Sequence, residues 1–87
     1  MSYLLVRHKV ADYAKWKAVY DAHQPVRQSA KLKEVHLLRG IDDTSEVVML
    51  FAADDLAAAR AFVASPELRE TMEKAGVTDR PSVFFLH

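Results

Sequence analysis

The sequence predicts an α+β fold in which one four-stranded antiparallel sheet carries helices on one face. Segments with the two-residue period of strands and segments with the period of helices follow in the order β-α-β-β-α-β. The 87 residues form a single domain, residues 1–87, with no room for another. Two of the predicted strands are apolar on both faces, although the helices can cover only one. This order is that of the ferredoxin-like fold, in which right-handed crossovers give the strand order 4-1-3-2.

The first strand is predicted over residues 3–10, which are rich in β-forming side chains. One face of this strand combines apolar side chains with one histidine: Leu4, Val6, His8 and Val10. A lone histidine on an apolar face is more often a core or interface residue than a base. His8 is therefore a candidate for ligand contact, with a structural role as the alternative.

The first helix begins after Asp12, whose side chain can accept a hydrogen bond from a free amide of the first turn. Its aromatic stripe has helical spacing and consists of Tyr13, Trp16, Tyr20 and His23. Pro25 has no amide hydrogen, so we expect it to end or kink the helix near Gln24. Such a stripe is usually part of a core, and that remains the alternative for Tyr13 and Trp16.

The second strand is predicted over residues 31–40 and closes at Gly40. Simple alternation places His36 on one face with Glu34 and Leu38, and Arg39 on the other with Val35 and Leu37. His36 would share a cavity with His8 if their faces match. Arg39 is a candidate anchor for a carboxylate or enolate oxygen, with a structural salt bridge as the alternative.

The third strand is predicted over residues 46–55, after a polar connection of hairpin length. A second helix, residues 56–64, follows a cap at Asp54 or Asp55, and its apolar stripe includes Phe62. A separate helix then shows clear end signals: Ser65 at its N-cap, Pro66 at its first position and Gly76 just past its end. The last strand is predicted over residues 80–87. No repeat or linker interrupts this order.

The third and fourth strands are apolar on both faces. In the third strand, Val47, Met49 and Phe51 alternate with Val48, Leu50 and Ala52, and in the fourth, Val83 and Phe85 alternate with Phe84 and Leu86. Withdrawing four or five such side chains from water contributes roughly 6–15 kcal/mol before association costs, at ~1.5–3 kcal/mol each. A second copy of the sheet is the simplest cover, so the sequence predicts a homodimer. Cover by the C-terminal tail or a loop is the alternative.

Composition excludes several classes of function. Twelve basic residues balance twelve acidic ones, so no net charge attracts nucleic acid or an anionic membrane. Cysteine is absent, which excludes disulfides and thiolate catalysis. No segment has the pattern of a signal peptide, and no apolar run approaches the ~18 residues of a membrane span. The expected protein is soluble and cytoplasmic, with neither nucleic acid nor membrane as a partner.

Two residues of the first helix are the candidate catalytic groups. Tyr20 and His23 each bring a polar tip to an apolar wall, which is typical of a small-molecule site. A neutral His23 could accept a proton from a phenol or an activated C–H group. The candidate ligand-binding residues are Tyr13, Trp16, His8, His36, Arg39 and Phe62. No histidine or carboxylate pair has local metal-binding spacing, so neither a metal nor another cofactor is predicted.

Three segments carry a resemblance to a known superfamily: VADYAKWKAVYDAH, DDLAAARAFVASPELRETMEKAGV and PSVFFLH. Together with the element order and the doubly apolar strands, they resemble the dimeric α+β-barrel superfamily, and within it the small proteins grouped with antibiotic biosynthesis monooxygenases. The resemblance spans essentially the whole chain. It implies that two sheets face each other as a barrel, and that any ligand pocket lies between the sheet and the helices of one subunit.

The superfamily includes cofactor-free oxidation of polyphenolic polyketides, haem degradation, lactone isomerisation and ligand binding. The third strand here has Phe51 and no tryptophan, unlike many of its quinone-forming and haem-degrading members. Residues 54–76 contain no histidine to bind haem iron, which argues against haem degradation. Two functions remain: a cofactor-free monooxygenase or cyclase-like enzyme on an aromatic, polyketide-like substrate, or a non-catalytic homodimer that binds an apolar molecule or has a structural role.

RNA binding, which uses the same strand order, fits this sequence poorly. RNA-recognition domains carry basic residues and a glycine–aromatic motif on the third strand. The third strand here, VVMLFAA, contains neither. Acyl-phosphate hydrolysis on this fold needs a glycine-rich anion loop after the first strand, and KVADY contains no glycine.

Overall fold

Four strands form one antiparallel sheet with helices packed on one face, in a computed structural model that describes residues 1–87. The elements are β1 (Ser2–Lys9), α1 (Tyr13–Ala22), α2 (Gln24–Ser29), β2 (Leu32–Arg39), β3 (Glu46–Ala53), α3 (Leu56–Ala64), α4 (Pro66–Lys74) and β4 (Ser82–Leu86). The strand order is β2-β3-β1-β4, which is the predicted order read from the opposite edge. None of the helices is both long and apolar enough to cross a membrane.

Side-chain caps fix the starts of three helices. The carboxylate of Asp12 accepts a hydrogen bond from the Lys15 amide at 3.2 Å, and that of Asp55 accepts one from the Ala58 amide at 3.1 Å. Ser65 caps α4 in the same way, through the Leu68 amide at 3.2 Å. Each cap satisfies an amide that has no partner within the helix, which is why the polar residues before these helices predicted their starts.

Pro25 divides the predicted first helix into two. α1 ends at Ala22, and α2 starts at Gln24 with Pro25 in its first turn. The predicted break is confirmed, but the chain remains helical beyond it. Proline is accepted here because amides of the first turn need no partner within the helix. The division allows α2 to bring Arg27 back against the body of the protein, where its side chain is buried.

The hydrophobic core lies between the helices and one face of the sheet. Leu4 of β1 and Val47 of β3 are fully buried at its centre. The other buried apolar residues of this core are Val10, Trp16, Tyr20, Leu32, Met49, Phe51, Ala53, Ala59 and Ala75. β3 alternates strictly between buried and half-buried side chains, as expected for a central strand with only one face under helices.

A β-bulge in β2 changes which side chains face the core. The register shifts between Glu34 and His36, so that Glu34 lies opposite buried Phe51 while His36 lies opposite Leu50 on the other face. The predicted grouping of His36 with Glu34 is therefore wrong. An extra residue in one strand reverses the alternation that follows it. His36 is exposed on the face without helices, whereas His8 faces them.

The face of the sheet without helices is apolar and open in the protomer. Leu5 of β1 lies opposite Leu50 on one side and Phe84 on the other, which makes a continuous apolar row across three strands. Phe84 is 52% exposed and Leu38 is 54% exposed. Exposed apolar groups on this scale are typical of an interaction surface. We refer to this set as the open sheet face: Tyr3, Leu5, Leu38, Val48, Leu50, Phe84 and Leu86.

We expect Leu4→Ala to lower the free energy of unfolding by about 2–5 kcal/mol. Leu4 is 0% exposed, so truncation leaves a cavity that its rigid strand neighbours cannot fill. Ile41→Ala is the matched control, because Ile41 is 96% exposed and its truncation should change stability by less than about 0.5 kcal/mol. Urea denaturation measures both. Equal losses in the two variants would contradict this account of the core.

Candidate functional site

An apolar cavity of about 70 Å³ lies between the sheet and the helices. Its floor is formed by the helix-facing side chains of β1 and β3: Val6, His8, Met49 and Phe51. One wall comes from α1, α2 and the residue between them: Trp16, Val19, Tyr20, His23 and Arg27. The opposite wall comes from the helices after β3: Phe62, Leu68, Thr71, Met72 and Ala75. The position agrees with the pocket that the superfamily resemblance implies.

Trp16, Tyr20 and Arg27 form a stacked layer in the first wall. The rings of Trp16 and Tyr20 stack with centroids 4.8 Å apart, and the Arg27 guanidinium lies 3.7 Å from the Tyr20 centroid. Arg27 also donates a hydrogen bond of 2.7 Å from Nη1 to the Tyr20 carbonyl. Stacking and hydrogen bonding together explain how a guanidinium is accommodated with little exposure to water.

The Tyr20 hydroxyl already has a partner. It donates a hydrogen bond of 2.7 Å to Oε1 of Glu34, which precedes the bulge in β2 and lies on the helix face. Burial, and then this hydrogen bond, raises the pKa of Tyr20 well above its ordinary value. Tyr20 is therefore protonated at neutral pH and held in one orientation. Its geometry suits a wall residue better than a proton acceptor.

His8 carries the unsatisfied polar atom of the cavity. The side chain is 2% exposed, and its Nδ1 is buried without a hydrogen-bond partner. The imidazole meets the Trp16 ring edge to face, with centroids 5.7 Å apart. Burial lowers the pKa of His8 despite the opposing charge of Asp79, so the ring is neutral at pH 7. A buried polar atom without a partner costs about 1–3 kcal/mol, which a suitable ligand atom would recover.

His23 is a second imidazole on the same cavity. It follows the last residue of α1, where its backbone amide donates to the Val19 and Tyr20 carbonyls, and its ring lies 6.0 Å from that of Phe62. Its side chain forms no hydrogen bond within the protein and is half-buried. Burial, and then the charge of Arg27, lowers the pKa of His23. His23 is therefore also neutral at pH 7 and free to accept a proton.

The structure brings together five of the predicted site residues and leaves three outside. The residues that line the cavity are His8, Trp16, Tyr20, His23 and Phe62. Tyr13 contacts Trp16 but lies beyond the cavity, and Arg39 packs its guanidinium 3.9 Å from the Tyr13 centroid. Arg39 also donates to the Thr44 carbonyl from Nε and Nη2. His36 lies on the face of the sheet without helices, so a ligand in the cavity would not contact it.

Arg27 is the cavity residue that sequence reasoning missed. Its position continues the helical spacing of the aromatic stripe, four residues after His23. The sequence predicts that the helix ends or kinks near Gln24, and Arg27 lies beyond that point, so the predicted stripe stops at His23. The methionines of the cavity, Met49 and Met72, carried no sequence signal beyond being apolar. The structure brings no three histidine, aspartate or glutamate side chains close enough together to hold a metal ion.

We expect the free energy of unfolding to fall as pH is lowered from about 7 to about 5, in part because of His8. The folded state depresses the pKa of His8, so the unfolded chain takes up a proton at a higher pH than the folded chain does. The contribution is complete above the unfolded pKa of about 6.5 and is lost as pH falls through the folded pKa. Urea denaturation across this range should show a smaller pH dependence for His8→Phe.

The wild type and His8→Phe both retain His23, so the difference between their pH dependences isolates the contribution of His8. An NMR titration of the imidazole signals provides an independent measurement, in which the His8 resonance should titrate at lower pH than free imidazole. An unchanged pH dependence in His8→Phe would show that His8 does not titrate as its burial requires.

Comparison with known proteins bears on the fold. Neither a protein-family model nor a curated protein sequence matches the chain. Among solved structures, an antibiotic biosynthesis monooxygenase superposes with a TM-score of 0.71 at 14% identity, over 100% of this chain and 97% of the other. A Bordetella bronchiseptica protein provisionally named as an antibiotic biosynthesis monooxygenase gives 0.80 at 15% identity, over 99% and 94%.

A third similar structure has a different name. It is an uncharacterised NIPSNAP domain protein from Burkholderia xenovorans, with a TM-score of 0.69 at 12% identity, over 100% of this chain and 93% of the other. Identities this low establish the architecture and not the reaction. The chain has the same α+β fold as these three structures, two of which are named as antibiotic biosynthesis monooxygenases, as the sequence resemblance predicted.

Proposed function

We propose that the protein is a homodimer that binds a small aromatic molecule in the cavity and oxidises it with molecular oxygen, without a cofactor. The observation that carries this proposal is the pair of neutral imidazoles on one apolar cavity, with His8 Nδ1 buried and unpartnered. The names of the structures with the same fold support the same class of reaction. The apolar walls suit an aromatic ring, and the imidazoles suit its hydroxyl group.

His23 is the proposed base. A neutral imidazole that accepts a phenolic proton produces a phenolate, which is a much better electron donor to oxygen than the phenol. For a naphthalenediol, one oxygen atom then forms a new C–O bond para to the hydroxyl. The ring loses two hydrogens and becomes a hydroxyquinone, and the second oxygen atom leaves as water. Oxygen is both the oxidant and the source of the new oxygen atom, so the balance needs no further reactant.

The remaining cavity residues would orient the substrate. His8 Nδ1 would hydrogen-bond a second polar group of the substrate, because it is the buried polar atom that lacks a partner. Trp16 and Phe62 would pack against the ring. Tyr20, whose hydroxyl is bound to Glu34, would support Trp16 by stacking rather than transfer a proton.

The proposed dimer buries the open sheet face against its symmetry mate. That face presents a continuous apolar row across β3, β1 and β4, and no element of the chain covers it. A two-fold axis through the face would bring each strand row against its own copy, which is the commonest arrangement of homo-oligomers. The balanced charge of the chain adds no strong repulsion between the copies.

A second candidate function is ligand binding without turnover. The cavity of about 70 Å³ is small beside the ~300–1,000 Å³ typical of small-molecule sites. The Tyr20 hydroxyl is also committed to Glu34 rather than to a substrate. Both observations favour a site that holds a compact apolar group. Binding of a diol without oxygen consumption would identify this second function.

We expect the protein to convert 1,5-dihydroxynaphthalene and oxygen into a hydroxynaphthoquinone and water. Oxygen uptake and the visible absorbance of the quinone measure the rate, against the same mixture without protein. His23→Ala should reduce the protein-dependent rate by about 100-fold or more, the usual contribution of a positioned general base. His87→Ala is the matched control, because this imidazole is exposed outside the cavity and should leave the rate unchanged.

An equal rate in wild type and His23→Ala would remove His23 from the mechanism. A rate no greater than that without protein, combined with diol binding by calorimetry, would favour the non-catalytic function. If the protein showed neither a protein-dependent rate nor binding of the diol, both proposed functions would be contradicted.

We expect the wild-type protein to sediment at about twice the protomer mass of 9.8 kDa at micromolar concentration. Leu50→Glu should convert it to a monomer, because the charge would lie at the centre of the proposed apolar interface. Ile41→Glu, in the exposed β2–β3 connection, is the control and should remain dimeric. A folded wild-type monomer at these concentrations would refute the dimer.

A further inference from the structure

A groove of about 540 Å³ adjoins the cavity. Four residues line both: Val6, Phe62, Leu68 and Met72. The groove extends from them between α3, α4 and the start of β4, where Val63, Pro81 and Val83 add further apolar surface. A ligand with its aromatic end in the cavity would therefore have room to continue along the groove.

The polar character of the groove comes mainly from two arginines. Arg69 on α4 and Arg80, just before β4, both line it, and no acidic residue does. Apolar residues and Ser65 make up the rest of the lining. The groove thus combines an apolar surface with localised positive charge, although the chain as a whole is neutral.

Arg69 and Arg80 differ from the other arginines in having no partner within the protein. Arg7 pairs with Glu46, and Arg27 and Arg39 donate hydrogen bonds to backbone carbonyls. Arg60 packs its guanidinium 4.5 Å from the Phe85 centroid. Neither groove arginine forms an ion pair or a side-chain hydrogen bond, so all their donors are available to a ligand.

We propose that the cavity and the groove form one site for an amphipathic monocarboxylate, with its carboxylate at Arg69 and Arg80 and its apolar body directed toward His8 and His23. The inference rests on the proposed small-molecule site and adds the class of ligand. A guanidinium matches a carboxylate with two parallel hydrogen bonds. Together, cavity and groove reach the ~300–1,000 Å³ that small organic ligands occupy. The small size of the cavity alone is then no obstacle.

Calorimetric titration with 2-naphthoate and 2-naphthamide tests this inference. The two probes share the ring system and differ in the charge of the head group. We expect the wild type to bind 2-naphthoate about tenfold more tightly than the amide, as a charge-assisted pair at a partly solvated site implies. Raising the salt concentration should reduce this difference, because exposed charges are screened.

The double variant Arg69→Gln/Arg80→Gln should lose the preference for the acid while its affinity for the amide is unchanged. Both side chains are exposed and form no ion pair or side-chain hydrogen bond within the protein, so the variant should fold with the wild-type melting temperature. Arg60→Gln is the matched control, since it removes an exposed guanidinium that lies outside the groove, and it should keep the full preference.

The outcomes separate this inference from the proposed function. Equal affinity of the wild type for acid and amide, or an unchanged preference in the double variant, would overturn the carboxylate site and leave the cavity intact. Failure of both probes to bind would count against the cavity as well. Because binding is measured rather than turnover, lack of oxidation of the diol would not alter the result.

Discussion

The alternation of side chains along β1 and β3 is the constraint on which the rest of this structure depends. These two strands form the middle of the sheet, and helices cover only one face. Leu4 and His8 of β1 consequently point into the core, while Leu5, between them in the alternation, points outward. The candidate site and the open sheet face are thus the two sides of the same strands. A shift of one residue in either strand would exchange them.

The cavity shows how packing controls protonation. Its lining is mostly apolar, so it disfavours the charged form of every titratable group placed there. The imidazoles of His8 and His23 stay neutral, and the hydroxyl of Tyr20 stays protonated. Arg27 is the exception, and it keeps its charge through stacking on Tyr20 and a hydrogen bond to a carbonyl. The same surroundings make the unpaired Nδ1 of His8 costly, which is the energetic reason to expect a ligand.

The architecture alone leaves the chemistry open. Proteins named as monooxygenases and a NIPSNAP domain protein have this fold at identities of 12–15%. What they have in common is a sheet with helices on one face, and that arrangement supports many kinds of pocket. The function of this chain therefore has to be argued from its own imidazoles, aromatic wall and unpartnered arginines.

The sequence by itself determined the local features and the strand order. Asp12, Asp55 and Ser65 satisfy amides only three residues ahead, and the helical spacing of Trp16, Tyr20 and His23 needs no distant partner. Only the tertiary structure decided the features that depend on pairing between remote segments. The bulge in β2 arises against β3, and it turned His36 away from the face on which Glu34 meets Tyr20.

Arg27, Arg69 and Arg80 show the same limit. Whether an arginine is buried, paired or free depends on which carboxylates and rings the fold brings within about 4 Å of it. The separation of residues along the sequence does not predict these contacts. Arg27 lines the cavity because the chain continues as α2 beyond Pro25. The two groove arginines lie on opposite sides of the turn at Gly76, Arg69 in α4 and Arg80 just before β4. Local hydrogen bonds and helical periodicity involve residues a few positions apart, so they can be predicted from the sequence. Side-chain contacts between distant segments form only in the folded protein.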